Sequence, residues 1–208
     1  MTGWERRIAR AEELARESPV YPELLNFYIE IARFQSNPAR SEAKLRDLVR
    51  RSTPNPAEGD PMHAFYARVM SQADAASRSV HFRTAPVGSR RLSPCCSEKP
   101  VAAVLRPEGD GAKRFLLCSL CFTEWEFHRV LCPNCGEEDK DKLPVYTADE
   151  FPHIRVEACD TCRVYLKSID LTKNGLAVPE VDEIASVVLD IWATGHGYTK
   201  LQPNLFGL

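Results

Sequence analysis

Eight cysteines are the residues of this 208-residue chain whose type and spacing most clearly predict chemistry. They form four pairs, three of which have the form Cys-x-x-Cys: Cys95 and Cys96, Cys118 and Cys121, Cys132 and Cys135, and Cys159 and Cys162. Two thiolates three positions apart on a tight turn can both reach one metal ion, and two such turns complete a tetrahedral site with four sulfur ligands. The cysteine pattern therefore predicts metal binding.

Pairing the turns in chain order predicts two metal sites. The first takes Cys95, Cys96, Cys118 and Cys121, and the second takes Cys132, Cys135, Cys159 and Cys162. Iron and zinc both accept four sulfur ligands, so the spacing leaves the choice of metal open. A structural site of this kind contributes about 10–16 kcal/mol of apparent binding free energy. This is more than a ribbon of about forty residues gains from apolar packing.

The first pair departs from this spacing, because Cys95 and Cys96 are adjacent. Either both thiols bind the metal, or only Cys96 does and water, a histidine or a substrate takes the fourth position. A distorted structural site and an open, reactive site are therefore both compatible with the sequence. A set of redox-active dithiols is a third interpretation, although such a Cys-x-x-Cys usually follows a strand and opens a helix. We expect no catalytic residue, because the chain has no phosphate-binding glycine loop or other recognisable catalytic motif.

The elements that position the cysteines fall into an α+β arrangement. Apolar residues at helical spacing predict a small helical domain over residues 1–79, and residues 80–93 have the composition of a linker. Short β-type runs then predict two rubredoxin-like or zinc-ribbon-like modules over residues 94–131 and 132–175. A single C-terminal helix beginning near Pro179 and ending at Gly195, with a tail, is expected to pack on the ribbons as residues 176–208.

Composition excludes several classes of protein. The chain is 44% hydrophobic and 27% charged, which is enough to bury a core, and no apolar run reaches the length of a membrane span. We expect no secretory signal and a cytoplasmic location. The formal net charge of −2 hides an asymmetry, since residues 1–92 sum to +4 and residues 93–208 to −6. Nucleic-acid binding by the cysteine-rich half is therefore unfavourable, because phosphate contacts need a basic surface.

Several segments within residues 92–208 carry a recognisable family pattern, namely Cys118–Trp125, Arg129–Cys135, Glu157–Cys162, Tyr165–Lys167, Asp182–Asp190, Gly197–Tyr198 and Pro203–Phe206. Together they resemble the formate dehydrogenase accessory protein FdhE family. The family opens this region with Cys-Pro-x-Cys, and here Ser93 stands at the first of these cysteines and Cys96 at the second, with Cys95 as an alternative ligand. The helical part is shorter than in the family, so the chain resembles a short N-terminal variant.

The resemblance implies a cytoplasmic assembly factor rather than a turnover enzyme. Such a protein places two rubredoxin-type modules behind a helical domain, carries iron at the cysteine sites, and binds the catalytic subunit of a molybdenum or tungsten formate dehydrogenase. Two other functions remain as alternatives, a zinc-ribbon nucleic-acid-binding module and a thiol or sulfur-handling enzyme that uses Cys95 and Cys96. A homodimer is a further expectation for the oligomeric state.

Overall fold

The computed structural model describes residues 2–17, 21–52, 60–79 and 90–208. Most of the predicted linker, residues 80–89, lies outside the described residues. Four helices come first in the chain: α1 (Gly3–Glu17), α2 (Pro22–Ser36), α3 (Glu42–Ser52) and α4 (Asp60–Ser79). Helix α1 begins with a capping box, in which the Thr2 and Glu5 side chains each accept the other residue's backbone N–H. Pro22 opens α2, where its fixed φ favours the first helical turn.

Seven strands form one continuous sheet behind these helices. They are β1 (Pro100–Glu108), β2 (Gly111–Cys118), β3 (Glu124–Glu126), β4 (Val145–Thr147), β5 (Ile154–Cys159), β6 (Val164–Asp170) and β7 (Thr199–Lys200). The order across the sheet is β3-β2-β1-β6-β5-β4, and β7 pairs with β6. The hairpins β1–β2 and β5–β6 are antiparallel, whereas β1 and β6 pair in parallel. That parallel pairing joins the two cysteine-bearing halves into a single sheet.

One β-type run of the sequence extends from Trp125 to Leu131, but β3 ends at Glu126 in the structure. The chain leaves the sheet beyond this strand because its next carbonyl groups bind elsewhere. The buried Arg114 guanidinium donates hydrogen bonds to the carbonyls of His128 and Leu131. Strands β4 and β7 were not predicted from the sequence. They are two or three residues long, which is too short to show the alternation of a half-buried strand.

The helix predicted after Pro179 is two helices, α5 (Pro179–Ala185) and α6 (Val187–Gly195). The break falls at Ser186, whose hydroxyl donates to the carbonyls of Asp182 and Glu183. The break leaves the Glu183 and Ser186 carbonyls available to the Lys167 ammonium, which is fully buried and also pairs with Asp190 at 2.5 Å. A buried ammonium needs several hydrogen-bond acceptors. The interrupted helix provides backbone carbonyls that a continuous helix would use in its own hydrogen bonds.

The C-terminal tail covers the ribbons only in its first part, since β7 pairs with β6, whereas its end packs on the helices. Leu205 is buried in a cluster with residues of α2, α3 and α4, and the Phe206 ring lies 5.7 Å from the Phe27 ring and 6.3 Å from that of Phe65. Helix α5 likewise packs against α1 and α2, through Val181 and Ile184. Helix α6 covers the ribbon sheet, where Leu189 and Ala193 lie against β5 and β6. Leu201, at the start of the tail, also packs on the sheet, in the cluster that contains Cys118 and Cys121. Packing against the helical core removes the apolar surface of Leu205 and Phe206 from water.

The predicted α+β class, with helices first, a cysteine-bearing sheet and a C-terminal helical segment, is confirmed. The boundaries proposed for the individual domains remain predictions. Within the described residues, no helix combines the length and the apolar character needed to cross a membrane.

Candidate metal centres

The four turns that carry the cysteine pairs share one backbone geometry. The N–H of the first position donates to the carbonyl five residues later at Ser93 and Glu98 (2.8 Å), Cys118 and Thr123 (3.0 Å), and Cys132 and Glu137 (2.9 Å). The residue after the second position is in the left-handed region in all four turns, namely Ser97, Phe122, Gly136 and Arg163. We call this turn a knuckle. Its tight geometry directs side chains three positions apart toward one point.

The second centre gathers the sulfur atoms of Cys132, Cys135, Cys159 and Cys162, which all lie within 4.8 Å of one another. The Sγ atoms of Cys132 and Cys162, and those of Cys135 and Cys159, are 3.7 Å apart. A tetrahedral site with bonds of about 2.3 Å has edges of about 3.8 Å between sulfurs. The donor set and its spacing therefore fit one ion of zinc or iron.

The first centre gathers three sulfur atoms, those of Cys96, Cys118 and Cys121. The Cys96 Sγ lies 3.3 Å from that of Cys118 and 3.4 Å from that of Cys121. Cys95 lies outside this set, so its assignment as a ligand stays a prediction. All eight cysteines, which fall within the described residues, carry free thiols. Three thiols this close also fit a metal ion, with a fourth ligand still to be assigned.

Hydrogen bonds prepare the first centre for a cation. The Cys118 thiol donates to Cys121 and, with the hydroxyls of Ser93 and Thr123, lowers the pKa of Cys121 to about 4. The backbone N–H groups of Leu120 and Cys121 both point at the Cys118 sulfur, at 3.4 Å. At Cys95, by contrast, burial and the neighbouring Cys121 sulfur raise the pKa of the thiol. These hydrogen bonds favour the thiolate form of Cys121, which is the form that binds a metal ion.

Helix α4 holds the second knuckle of the first centre in place. The Ser79 hydroxyl donates to the Cys121 carbonyl at 2.8 Å, and the Gln72 amide donates to the Ser119 carbonyl at 3.0 Å. Arg68 donates to the Ser119 hydroxyl at 2.7 Å. Because polar groups of a helix satisfy the knuckle's backbone, the helical part and the first centre are mechanically connected.

Arg91 connects the first centre to the second. It lies just before the Ser93 knuckle, and its guanidinium donates to the Asn134 carbonyl at 2.9 Å and to the Cys135 carbonyl at 3.4 Å. A Cβ on Gly136 would come within 2.4 Å of this guanidinium, so the glycine leaves room for it. Sequence reasoning missed Arg91, because nothing in its local sequence distinguishes it from a solvated arginine.

A cavity of about 220 Å³ lies beside the second centre, with Cys132 and Cys159 in its wall. Its charged lining contains four cations and one anion, which are Arg114, Arg129, Lys140, Arg155 and Glu157. Arg114 is buried, and both Arg114 and Arg155 pair with Glu157, at 2.8 and 3.0 Å. Cations nevertheless outnumber the single anion, so the charge balance of the lining is positive. Sequence reasoning missed this cavity, since its lining comes from five separate segments.

The mouth of the cavity is partly apolar. Val130 and Val145 line it and are 50% and 51% exposed. Val145 begins β4, the outermost strand on that side of the sheet. An exposed sheet edge beside apolar side chains and cations is a surface on which an extended segment of another protein can pair.

Comparison with known proteins places the cysteine-rich half in a defined family. The family model described as "FdhE, central domain" matches residues 92–129, and that described as "FdhE, C-terminal domain" matches residues 130–206. These two adjacent matches together span more than half of the chain and contain all eight cysteines.

Curated relatives match the same region. The protein FdhE homolog of Aquifex aeolicus is 42% identical over 119 residues, which are 57% of this chain and 42% of that protein. Protein FdhE of Escherichia coli O127:H6 is 36% identical over 118 residues, which are 56% of this chain and 38% of that protein. The match thus spans about two fifths of the length of each of these relatives.

A solved structure is similar over nearly the whole chain. The crystal structure of the FdhE protein from Pseudomonas aeruginosa superposes with a TM-score of 0.73, at 22% sequence identity, covering 98% of this chain and 95% of that one. At this identity the likeness concerns the fold. It extends across the N-terminal helices as well as the sheet.

Proposed function

The chain belongs to the FdhE family, and from this premise we propose that it is an accessory protein for the maturation of a formate dehydrogenase. In this proposal it binds the catalytic subunit of that enzyme in the cytoplasm, through the metal-cysteine ribbon region, and is not itself an enzyme. The family assignment confirms the resemblance inferred from the cysteine segments. The observation that carries the proposal is that each of the two matched domains contains one of the two converging cysteine groups.

Charge supports a protein partner over a nucleic acid. Residues 93–208 have a formal charge of −6, and a divalent ion with four thiolates adds a further −2 relative to the uncharged thiols. Phosphate backbones are repelled by such a surface. The cavity beside the second centre differs from this acidic surface, because its lining is mainly cationic. It is suited to binding an apolar segment of a partner protein that is flanked by acidic side chains.

We place the contact with the catalytic subunit at the rim patch, which we define as Arg129, Val130, Lys140 and Val145. The exposed valines supply apolar contact, and the flanking cations favour acidic side chains on the partner. The second centre rigidifies this patch, because Cys132 follows Val130 closely and Cys159 ends the strand that pairs with β4. Metal binding and partner binding are therefore coupled in this proposal.

Co-purification tests the proposal. The full chain is tagged in a host that produces a formate dehydrogenase, and the catalytic subunit is sought in the eluate. Val130→Asp and Val145→Asp should each reduce its recovery at least about tenfold, because a buried carboxylate in an apolar contact costs more than about 1.4 kcal/mol. Leu176→Asp is the matched control, since Leu176 is 78% exposed and does not line the cavity.

Two results would overturn the proposal. One is that the catalytic subunit is never retained by the metal-loaded wild-type chain. The other, which concerns the rim patch alone, is that Leu176→Asp abolishes recovery as strongly as Val145→Asp does. The metal content of each variant is measured in parallel, so that a loss of folding is distinguished from a loss of contact.

A thiol enzyme remains the second candidate function, because the Cys95 thiol lies beside the first centre but outside its set of three sulfurs. Thiol-specific labelling of the metal-loaded chain tests it. If neither Cys95 nor Cys96 is modified, the candidate fails.

A further inference from the structure

The segment Ser93-Pro94-Cys95-Cys96 is a complete knuckle with a serine at its first position. The Ser93 N–H donates to the Glu98 carbonyl, as the first cysteine does in the knuckles at Cys118 and Cys132. Ser97 N–H donates to the Ser93 carbonyl at 2.9 Å, matching Gly136 and Cys132 at 3.0 Å. Ser97 takes the left-handed conformation that follows the second ligand in the other turns. Ser93 and Cys96, rather than Cys95 and Cys96, therefore occupy the two ligand positions of this knuckle.

The Ser93 side chain also occupies the position of a ligand. Its Oγ accepts the N–H groups of Cys95 and Cys96 at 3.3 and 3.4 Å. At the second knuckle of this centre, the Cys118 sulfur accepts the corresponding two N–H groups, both at 3.4 Å. The Ser93 Oγ lies 3.5 Å from the Cys121 sulfur, and the residue is 1% exposed. A buried oxygen is thus aimed into the set of three thiols.

We propose that the first centre binds its metal through Cys96, Cys118, Cys121 and the Ser93 oxygen, and that Cys95 is not a ligand. Zinc and iron both accept oxygen beside sulfur, so the donor set remains compatible with either metal. With a neutral serine hydroxyl, a divalent ion and three thiolates carry a net charge of −1, against −2 at the second centre. The proposal concerns the coordination of this chain and stands independently of the partner proposed above.

The two centres are consequently unequal. Hydroxyl oxygen is a weaker donor to zinc or ferrous iron than a thiolate, so the first centre holds its metal less tightly than the second. Its weakest bond is at Ser93, which is the position that an incoming ligand or chelator displaces first. The first centre is then the exchangeable one, and the second serves as the permanent structural site.

Reconstitution of the full chain with Co²⁺ tests this coordination, because sulfur-to-cobalt charge-transfer absorption grows with the number of thiolate ligands. The wild-type chain should bind two Co²⁺ ions and lose them to a chelator in two steps. Ser93→Cys should intensify the charge-transfer bands and slow the faster step. We expect at least about a tenfold gain in affinity, since outer-shell changes alone alter metal affinity by about 10–100-fold. Cys95→Ser should leave both the spectrum and the two release steps unchanged.

Ser93→Ala should lose the faster-released ion at a lower chelator concentration than the wild-type chain. Because this variant also removes the acceptor for two N–H groups, Ser93→Cys decides the question if Ser93→Ala fails to fold. The proposal is overturned if Cys95→Ser weakens the charge-transfer bands, or if Ser93→Cys alters neither the spectrum nor the release. None of these readouts involves the proposed formate dehydrogenase partner.

Discussion

Residues in the left-handed conformation close all four knuckles, but only Gly136 is a glycine. Two of the other three positions, Phe122 and Arg163, make side-chain contacts that offset the strain. Phe122 packs under the Arg7 guanidinium, which lies 3.9 Å from its ring centre. Arg163 donates to Asp160 and to the His196 carbonyl. Ser97 is exposed, and its side chain makes no hydrogen bond with the residues that the structure describes, so nothing there offsets the strain.

Ser97→Gly is therefore expected to stabilise the chain. The left-handed conformation costs a non-glycine residue about 1–2 kcal/mol, which the change to glycine removes. The greater freedom of glycine in the unfolded chain reduces this gain in stability by about 0.5–1 kcal/mol. A net gain of about 0.5–1 kcal/mol should appear in urea unfolding of the metal-loaded protein. Gly136→Ala is the reciprocal variant and should destabilise by at least about 1 kcal/mol, because it also displaces Arg91. Equal effects of the two changes would contradict this explanation.

The convergence of the cysteines was the part of the site that the sequence predicted best. Cysteine pairs have no common structural use at this spacing other than metal or redox chemistry, and seven of the eight predicted thiols converge. The departure at Cys95 and the role of Ser93 depend on the path of the backbone. Whether the first position of a knuckle can be a serine is decided by hydrogen bonds from Cys95 and Cys96, which the spacing alone does not show.

Among the elements, α1 is docked by buried charge. Arg7 pairs with Glu180 at 2.7 Å and Arg10 with Asp182 at 2.7 Å, both across to α5. The side chains of the first pair are 8% and 7% exposed. Burial by itself would raise the pKa of Glu180, but the Arg7 charge and hydrogen bond outweigh it, so the pKa lies below its ordinary value of 4.5. The pair therefore stabilises the folded chain only while Glu180 is ionised.

Glu180→Gln should lower the free energy of unfolding by about 3 kcal/mol at neutral pH, because it leaves the Arg7 charge buried without its partner. A carboxyl with a lowered folded-state pKa contributes fully above 4.5, and the contribution is lost as the pH falls through its folded pKa. The difference between variant and wild type should thus shrink below about pH 4.5. Urea unfolding across this range measures it, and acid-induced loss of metal affects both chains alike.

The matched control is Glu12→Gln. Glu12 lies on α1, like Arg7, and this change removes its exposed ion pair with Arg33 of α2. Exposed pairs contribute about 0–1 kcal/mol, so this change should be small at every pH. A pH-independent difference for Glu180→Gln, or one as small as that of the control, would contradict the docking role of Arg7 and Glu180.

Local patterns predicted the helices well and the connections between elements poorly. The apolar spacing of residues 4–15 and 24–34 fell within α1 and α2, because these helices are amphipathic and have clear end signals. The parallel pairing of β1 with β6 joins residues 65 positions apart, such as Ala102 and Lys167, so no local sequence pattern predicts it. The break at Ser186 provides carbonyl acceptors for the buried Lys167 ammonium. Lys167 lies on β6, so the local sequence around Ser186 does not show this requirement.

Apolar clusters lie in both the helical part and the sheet, and the two cysteine groups add candidate metal centres to the sheet. The free energy of one structural site, about 10–16 kcal/mol, is comparable to the total stability of a typical domain, about 5–15 kcal/mol. Knuckle sulfurs lie at the ends of β2 and β5, so a metal ion bound at each centre would close the hairpins that form the interior of the sheet. The sheet should therefore lose its structure when both ions are removed.

Exhaustive chelation under reducing conditions is expected to abolish the hydrogen-exchange protection of β1, β2, β5 and β6. Protection in α1 and α2 should fall as well, because α5 packs against both helices and continues into the sheet through the Lys167 network. Hydrogen exchange followed by mass spectrometry measures both, and protection should return on adding Zn²⁺. Retained sheet protection in a chain shown to be metal-free would contradict this dependence.

The burial of Leu205 and Phe206 among α2, α3 and α4 has a consequence for biosynthesis. Phe27 leaves the ribosome long before its neighbour Phe206 is translated, so the helices emerge first with part of their interior missing. They reach their final packing only after the intervening ribbons have been made. Nascent chains stalled before residue 205 should accordingly be more sensitive to protease in their first eighty residues than released chains.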